Sequence, residues 1–311
     1  MKEIAVLLAA YNGARYLPEQ LVSLRAQDDP LFHVLMQDDG SQDNTMMTLL
    51  QLCAADGRFQ MGAEQGKGYG AVGNFWSLLN QCQAPYIALC DQDDRWHTDR
   101  LSRCRQAMER AEKQYGEETP LLVHSDCSLI GAEGQPLHAS FFDHQGWDRS
   151  ATGFRRLLVQ NNVTGCTILM NAALKNLAIR YGDFEKMVMH DWFLALTAAA
   201  FGHVVMVDAP LVDYRQHGDN VQGASRQGQI QRGVKALSKW QKGKARIQLT
   251  YDHAKTFAEM YGAILPEQNR KDIAAYLATQ KMKKLQRVTT IQRQGFTMQS
   301  MVTRAGQIVF G

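Results

Sequence analysis

Three carboxylates fall within residues 91–94, which read Asp-Gln-Asp-Asp and follow the apolar run 86–90. Carboxylates this close together repel one another unless a cation lies among them. Hard oxygen ligands suit Mg²⁺ or Mn²⁺, which take one or two protein carboxylates and complete their shell with phosphate oxygens and water. The alternative is a solvated acidic turn that caps the next helix. Taken alone, the cluster fits both interpretations.

Polar residues also follow two other apolar runs near the N-terminus. At the end of the first run stand Ala9, Tyr11 and Asn12, and the second run leads into Asp38 and Asp39. A carboxylate can accept the N3–H of a pyrimidine, and an aromatic face and an amide can contact the same base. Plain Asn-Gly and Asp-Gly turns are the alternative interpretation.

Downstream, two short motifs carry further groups that could do chemistry. Asp191, in a His-Asp-Trp sequence, is either a helix N-cap or a general base that removes a proton from an acceptor hydroxyl. Within a Tyr-Arg-Gln-His motif, Arg215 could neutralise phosphate and His217 could complete a metal shell. The Gly-rich stretch 66–73 does not fit the Walker pattern, but its amides could lie near a diphosphate.

Alternating apolar runs and amphipathic segments predict the elements that position these residues. We predict strands at residues 4–9, 32–36, 86–90, 121–124, 166–170 and 204–207, and helices at residues 16–26, 45–55, 98–115 and 191–201. This order predicts an α/β protein with a mainly parallel, Rossmann-like sheet flanked by helices. Ligands of such sheets bind beyond the carboxyl ends of the strands.

The last quarter of the chain differs in charge and predicts a second unit. Residues 224–311 contain 16 Lys and Arg but four Asp and Glu, whereas residues 1–223 are acidic overall. Helical patterns at 228–261 and 266–287 predict a basic α-helical extension. Such a surface suits the anionic inner face of a cell membrane, although solvated helix faces explain it too.

Without a nucleic-acid fold signature, we expect no nucleic-acid partner. We expect a cytoplasmic protein, because no secretory signal is recognisable.

Taken in order, the motifs resemble those of glycosyltransferase family 2, whose members have the GT-A fold. The resemblance covers residues 3–222 and rests on Leu-Ala-Ala-Tyr-Asn-Gly at 8–13, Asp-Asp-Gly-Ser at 38–41, Asp-Gln-Asp-Asp-Arg-Trp at 91–96, His-Asp-Trp at 190–192 and Tyr-Arg-Gln-His at 214–217. It implies a nucleotide-sugar donor, an Mn²⁺ or Mg²⁺ cofactor and a saccharide acceptor.

The resemblance also implies a role for individual residues. Asp39 would pair with the base beside Tyr11, Asp91 would contact the ribose side of the donor, Asp93 would coordinate the metal, Asp191 would be the catalytic base, His217 would approach metal or phosphate, and Gly165 would lie under the donor sugar. Family members usually have Glu before the base, where this chain has His190.

The wording of two motifs narrows the expected donor. Asp-Gln-Asp-Asp-x-Trp and Tyr-Arg-Gln-His are similar to bacterial rhamnosyltransferases of cell-surface polysaccharide synthesis. This similarity implies dTDP-β-L-rhamnose as donor, an inverting transfer, and a saccharide or polyprenyl-linked acceptor. The alternatives are a UDP-hexose or UDP-hexosamine donor and, from another class, a non-catalytic nucleotide- or polysaccharide-binding module.

Overall fold

A nine-stranded sheet lies at the centre of the computed structural model, which describes residues 1–218 and 239–310. Its strands are β1 Ile4–Ala10, β2 Phe32–Asp38, β3 Phe59–Met61, β4 Tyr86–Asp91, β5 Arg95–Trp96, β6 Leu121–Gly131, β7 Pro136–His138, β8 Leu169–Asn171 and β9 His203–Gln216. They are ordered β3-β2-β1-β4-β8-β6-β9-β5, and β7 pairs with β6.

Strand β1 lies between β2 and β4 and runs parallel to both. Its unbroken apolar sequence suits this position, because both faces of a central parallel strand are buried. Alternate side chains enter different cores: Leu7 packs in one hydrophobic cluster, and Val6 and Leu8 pack in another on the opposite face. Beyond β4, the antiparallel strand β8 connects to the long parallel pair of β6 and β9. The predicted α/β class is confirmed.

Helices cover both faces of the sheet and continue beyond it. They are α1 Leu17–Arg25, α2 Thr45–Ala55, α3 Gly70–Gln81, α4 Arg100–Tyr115, α5 Phe141–Gln145, α6 Phe154–Val159, α7 Ala172–Tyr181, α8 His190–Phe201, α9 Lys239–Tyr261, α10 Glu267–Ala278, α11 Lys284–Gln294 and α12 Met301–Phe310. Within the described ranges, none of them has the length and apolar character needed to span a bilayer.

The strand predicted at 166–170 is wrong in its first half. Gly165–Thr167 is a 3₁₀ turn, and β8 begins only afterwards. The carbonyl of Thr164 accepts both the N–H of Thr167, at 3.0 Å, and its hydroxyl, at 2.7 Å. These two bonds close a turn where the apolar pattern predicted extended chain.

The helix predicted at 266–287 is also wrong, because it is two helices separated by the 3₁₀ turn Thr279–Lys281. The buried hydroxyl of Thr279 donates to the carbonyl of Tyr276 at 2.6 Å and lies 2.8 Å from the hydroxyl of Tyr251 on α9. A tertiary contact, not a Gly or Pro signal, therefore interrupts this helix.

The C-terminal helices pack directly on the helices of the sheet domain. The hydroxyl of Tyr261 on α9 lies 2.8 Å from that of Thr197 on α8, and the ring of His253 stacks on Trp192 at 4.1 Å. The predicted helix at 228–261 is described only from Lys239, and the predicted domain boundary after residue 223 lies outside the described residues. Helix α9 thus supports α8, which carries Asp191 in its first turn.

Candidate active site

The sheet register brings the three strand-end motifs to one edge. Ala9 lies opposite Gln37 on one side and Asp91 on the other, and Ala10 lies opposite Asp38. The backbone N–H of Tyr11 then donates to the side chain of Gln92 at 2.7 Å, which joins the loop after β1 to the acidic loop after β4. The predicted proximity of these motifs along the sheet follows directly from this parallel arrangement.

The end of β9 brings His217 to the acidic loop. Its Nε2 atom lies 2.8 Å from Oδ2 of Asp93, and its ring packs against Tyr16 at 4.7 Å. Both side chains of the pair are only slightly exposed, at 10% for His217 and 13% for Asp93. The two predicted metal ligands are therefore adjacent.

Arg215 holds the acidic loop after β4 in place by hydrogen bonds. Its backbone N–H donates to Oδ1 of Asp94 at 3.0 Å, and its Nε donates to the carbonyl of Asp93 at 2.7 Å. The guanidinium also donates to Glu19 on α1 and to the carbonyl of Ala132 after β6. The sequence suggested that Arg215 neutralises phosphate. Because its side chain is 1% exposed, it holds the acidic loop in place and does not present an open cation to a phosphate.

The acidic loop itself contains a second cluster of potential ligands. One ligand atom from each of Asp91, Asp94 and Cys166 lies within 4.8 Å of the others. Burial raises the pKa of the Cys166 thiol, so the carboxylates are the stronger ligands here. Oδ2 of Asp94 is buried without a hydrogen-bond partner, and burial, followed by the charges of Asp93 and Asp191, raises the pKa of Asp91 to about 7. A divalent cation would relieve this crowding, so the residues present fit Mn²⁺ or Mg²⁺.

Asp191 stands in the first turn of α8 and is 6% exposed. Burial raises the pKa of its carboxyl to about 7, although hydrogen bonds from the backbone N–H of Trp192, the side chain of Asn161 and the backbone N–H of Gly165 act in the opposite direction. A Cβ placed on Gly165 would lie 3.6 Å from the Cβ of Asp191, so the predicted donor-sugar loop and the predicted base are in contact. Such a carboxylate is poised to accept a proton near neutral pH.

The nucleotide-side residues are held by the protein itself. Asp38 accepts the backbone N–H groups of the two residues after Asp39, at 3.0 and 2.9 Å. Asp39 accepts the N–H groups of Tyr69 and Gly70, at 2.8 and 2.7 Å, and so ties the Gly-rich loop to the end of β2. A base contact by Asp39 therefore stays a prediction.

The first loop offers the most open surface on the nucleotide side. Tyr11 is 54% exposed, which leaves an aromatic face available. Asn12 has φ +49°, a left-handed conformation that Asn tolerates, and its Oδ1 accepts the N–H of Gln42 at 2.8 Å. The Asn12 side chain thus holds the turn, and Tyr11 remains the accessible group.

Several supporting residues were missed in the sequence. Asp213 on β9 accepts from Nε of Arg95 at 2.7 Å and lies 3.0 Å from Nε2 of His97, which fixes the strand that follows the acidic loop. Arg100 is fully buried and donates to the carbonyl of Cys166 at 2.8 Å. Their partners are distant in sequence, so no local pattern indicates these roles.

The Rossmann-like sheet gathers carboxylates, an imidazole and a buried aspartate at its strand ends. The family model described as glycosyl transferase family 2 matches residues 5–115. The chain is therefore similar to glycosyltransferase family 2 over these residues, and it has the GT-A fold.

One curated relative and two solved structures are similar to the chain over most of its length. The dTDP-rhamnosyl transferase RfbG of Shigella flexneri is 26% identical over 241 residues, which cover 70% of this chain and 74% of RfbG. The S. aureus TarS 1–349 structure in complex with UDP-GlcNAc matches with a TM-score of 0.58 at 17% identity, covering 94% of this chain and 80% of that one. The mannosyltransferase PcManGT of Pyrobaculum calidifontis, solved with GDP-Man and Mn²⁺, matches 99% of this chain with a TM-score of 0.53 at 13% identity, over 87% of its own length.

Proposed function

We propose that this chain is a family 2 glycosyltransferase that moves L-rhamnose from dTDP-β-L-rhamnose onto a saccharide or polyprenyl-linked saccharide acceptor, with inversion and with a divalent metal. The contact between Asp93 and His217 carries the metal part of this proposal, since it pairs a carboxylate with an imidazole beside the acidic loop. The rhamnosyl part is supported by the similarity to RfbG and by the motif wording. Synthesis of a cell-surface polysaccharide is the biological setting that we infer.

The donor would lie across the ends of β1, β2 and β4. In this proposal Tyr11 and Asp39 contact the base, Asp91 faces the ribose side, and Asp93 and His217 hold Mn²⁺ or Mg²⁺. A divalent ion bound there supplies Lewis-acid neutralisation of the charge that develops on the departing diphosphate. Arg215 would keep this loop in place through its bonds to the carboxylate of Asp94 and the backbone carbonyl of Asp93.

Asp191 would act as the general base. The acceptor hydroxyl attacks C1 of the sugar on the face opposite the diphosphate, and its proton passes to the Asp191 carboxylate. The bond between C1 and the phosphate oxygen breaks, and its electron pair stays on that oxygen as dTDP leaves. One glycosidic bond replaces one phosphoester bond, and the configuration at C1 inverts. Burial suits Asp191 to this task because it raises the pKa of its carboxyl to about 7. Near neutral pH such a carboxyl is still substantially ionised and is also a stronger base than an ordinary carboxylate.

The basic extension would hold the enzyme at the inner face of the cell membrane. Lys281 and Lys283 before α11 and Lys284 at its first position are exposed, and the next residue of the helix, Leu285, is 81% exposed. Each basic residue near an anionic surface can contribute about 1 kcal/mol, and an exposed leucine can enter the headgroup boundary. An acceptor carried on a polyprenyl diphosphate would be delivered at this surface.

A thermal-shift screen of nucleoside diphosphates with and without Mn²⁺ tests the donor assignment. Stabilisation by dTDP above UDP and GDP, and only with Mn²⁺, is the result that the proposal requires. Preference for UDP would redirect the donor to a hexose or hexosamine. A protein that binds a nucleotide but never hydrolyses or transfers its sugar would be a non-catalytic binding module.

A further inference from the structure

A cleft lies among the C-terminal helices. It has a volume of about 400 Å³ and is lined by Lys244, Ala245, Ile247, Gln248, Tyr251, Gln280 and Arg287. This volume falls within the range of small-ligand sites. Its walls come from α9, the 3₁₀ turn Thr279–Lys281 and α11, so the cleft is separate from the strand-end site in sequence and in the elements that form it.

The walls of this cleft are fixed by buried contacts. On α9, Lys244, Gln248 and Tyr251 follow at helical spacing and so share one face. The hydroxyl of Tyr251 lies 2.8 Å from that of Thr279, and its ring stacks on Tyr276 at 4.6 Å. The turn that carries Gln280 is therefore anchored to α9, and the cleft has a preformed shape.

The cleft is cationic, and its chain segments contain few acids. Residues 224–251 and 273–311 contain no Asp or Glu. The nearest acid along α9 is the exposed Asp252, whose Oδ1 accepts the side-chain amide of Gln248 at 2.8 Å. In contrast to α4 and α9, which also carry acidic residues, α11 thus presents its arginines without an acidic neighbour in the same helix.

Arg287 gives the strongest indication that the cleft binds a ligand. Its Nε atom is buried and has no hydrogen-bond partner, and within residues 1–218 and 239–310 no carboxylate forms an ion pair with its guanidinium. A buried donor of a charged group that remains unsatisfied is costly, more so than for a neutral group. A phosphate in the cleft would supply the missing counter-charge, because guanidinium groups bind phosphate in a planar, charge-assisted geometry.

We propose that this cleft, which we call the α9–α11 cleft, binds a phosphate-bearing anion through Arg287 and Lys244, with the amide of Gln280 at its rim. The anion is either a free diphosphate or the phosphate headgroup of an anionic lipid. The lipid source rests on the membrane contact proposed above, whereas the anion site does not.

Titration calorimetry of the full-length protein with inorganic diphosphate in EDTA tests the site. Arg287→Gln should weaken binding about tenfold or more, which is the range for loss of a charge-assisted hydrogen bond. Arg293→Gln is the matched control, because Arg293 lies exposed on the same helix and does not line the cleft. It should leave the affinity unchanged.

A second pair of variants keeps the test valid if Arg287→Gln folds poorly. Gln280 and Gln292 are both exposed, so Gln280→Glu adds a negative charge at the cleft and Gln292→Glu adds it elsewhere on the surface. Gln280→Glu should abolish diphosphate binding, whereas Gln292→Glu should not. Equal effects of each cleft variant and its control, or no binding by the unmodified protein, would overturn the proposal.

Sedimentation with vesicles then separates the two sources of phosphate. If Arg287→Gln, but not Arg293→Gln, loses binding to phosphatidylglycerol vesicles, the ligand is a lipid headgroup. If only free diphosphate distinguishes the variants, the site stands and the lipid source is excluded. Sugar transfer to a soluble acceptor, measured alongside, reports on the proposed transferase function independently of either result.

Discussion

Nε2 of His217 lies 2.8 Å from Oδ2 of Asp93, although 124 positions separate the two residues. The contact exists because β9 runs parallel to β6 and its end returns beside the loop that follows β4. It places an imidazole and a carboxylate, both groups that bind Mn²⁺, at one point on the nucleotide edge of the sheet. The metal site that we propose is built around this pair.

Replacing His217 by Gln should weaken metal activation. The variant loses an imidazole ligand but retains Asp93, so we expect the Mn²⁺ concentration for half-maximal activity to rise about 10- to 100-fold, in line with other changes around metal ligands. Activity at saturating Mn²⁺ should partly recover. A titration of activity against Mn²⁺ measures both effects. His203→Gln, at an exposed residue on the first position of β9, should leave the titration unchanged.

Arg215→Lys tests whether the buried guanidinium positions the acidic loop. Lys cannot reproduce the fork that contacts the carbonyl of Asp93 and the carboxylate of Glu19 together. We expect weaker Mn²⁺ activation, again by about 10- to 100-fold, because a supporting group outside the ligand set is lost. A raised KM for the donor with an unaltered Mn²⁺ titration would instead indicate direct phosphate binding by Arg215. Arg25→Lys, on the exposed end of α1, is the control.

Asp191→Asn should abolish transfer while donor binding survives. Asn retains the shape and hydrogen-bonding capacity of the side chain but cannot accept the acceptor proton, and loss of a general base typically costs about 10²–10⁴-fold in rate. Single-turnover transfer and calorimetric dTDP binding measure the two properties separately. Asp252→Asn, on an exposed site of α9, is the matched control. Full activity in Asp191→Asn would remove this residue from the mechanism.

The buried His253 makes stability depend on pH in a way that one variant can isolate. Burial lowers the pKa of its imidazole to about 3, from an ordinary value of 6.5. The folded state therefore keeps the ring of His253 neutral. The contribution of this histidine to stability is complete above pH 6.5, and it is lost as the pH falls because the unfolded chain takes up a proton that the folded chain does not. We expect the free energy of unfolding of the unmodified protein, relative to His253→Phe, to fall by about 1.4 kcal/mol per pH unit between pH 6 and 4.

Chemical denaturation of both proteins at several pH values measures this difference. The comparison is needed because the raised pKa values of Asp91 and Asp191 favour the folded state at acidic pH and oppose the histidine in the whole protein. A difference that does not vary with pH would show that the imidazole is not held neutral in the folded chain.

Much of the nucleotide edge could be predicted from the sequence because its signals are local. An unbroken apolar run gives β1, and polar residues directly after it must lie at the strand end. The same reasoning predicted the polar residues after β1 and β4 at one edge of the sheet, and the register of the two strands brings Ala9 opposite Asp91 there. Parallel neighbours require only that each strand be recognised, since their ends then fall at the same edge.

The parts that could not be predicted depend on contacts across long sequence separations. Nothing around Arg215 indicates that its side chain is buried against Glu19, and nothing around Thr279 indicates that a hydroxyl on another helix stops α10 there. The surroundings of His190 are a further example: its ring packs on Phe75 at 4.4 Å, and burial lowers the pKa of its imidazole to about 4. Tertiary packing overrides local preference in each case.

Turnover of dTDP-β-L-rhamnose is the most direct test of the central claim, that a metal held by Asp93 and His217 supports inverting transfer by Asp191. The unmodified protein and Asp93→Asn would be given the donor and a saccharide acceptor with Mn²⁺ or with EDTA, and the product examined by NMR. We predict an α-linked rhamnoside from the unmodified protein with Mn²⁺ alone, and little product from Asp93→Asn. Equal turnover in EDTA, equal turnover by Asp93→Asn, or a β-linked product would contradict the account.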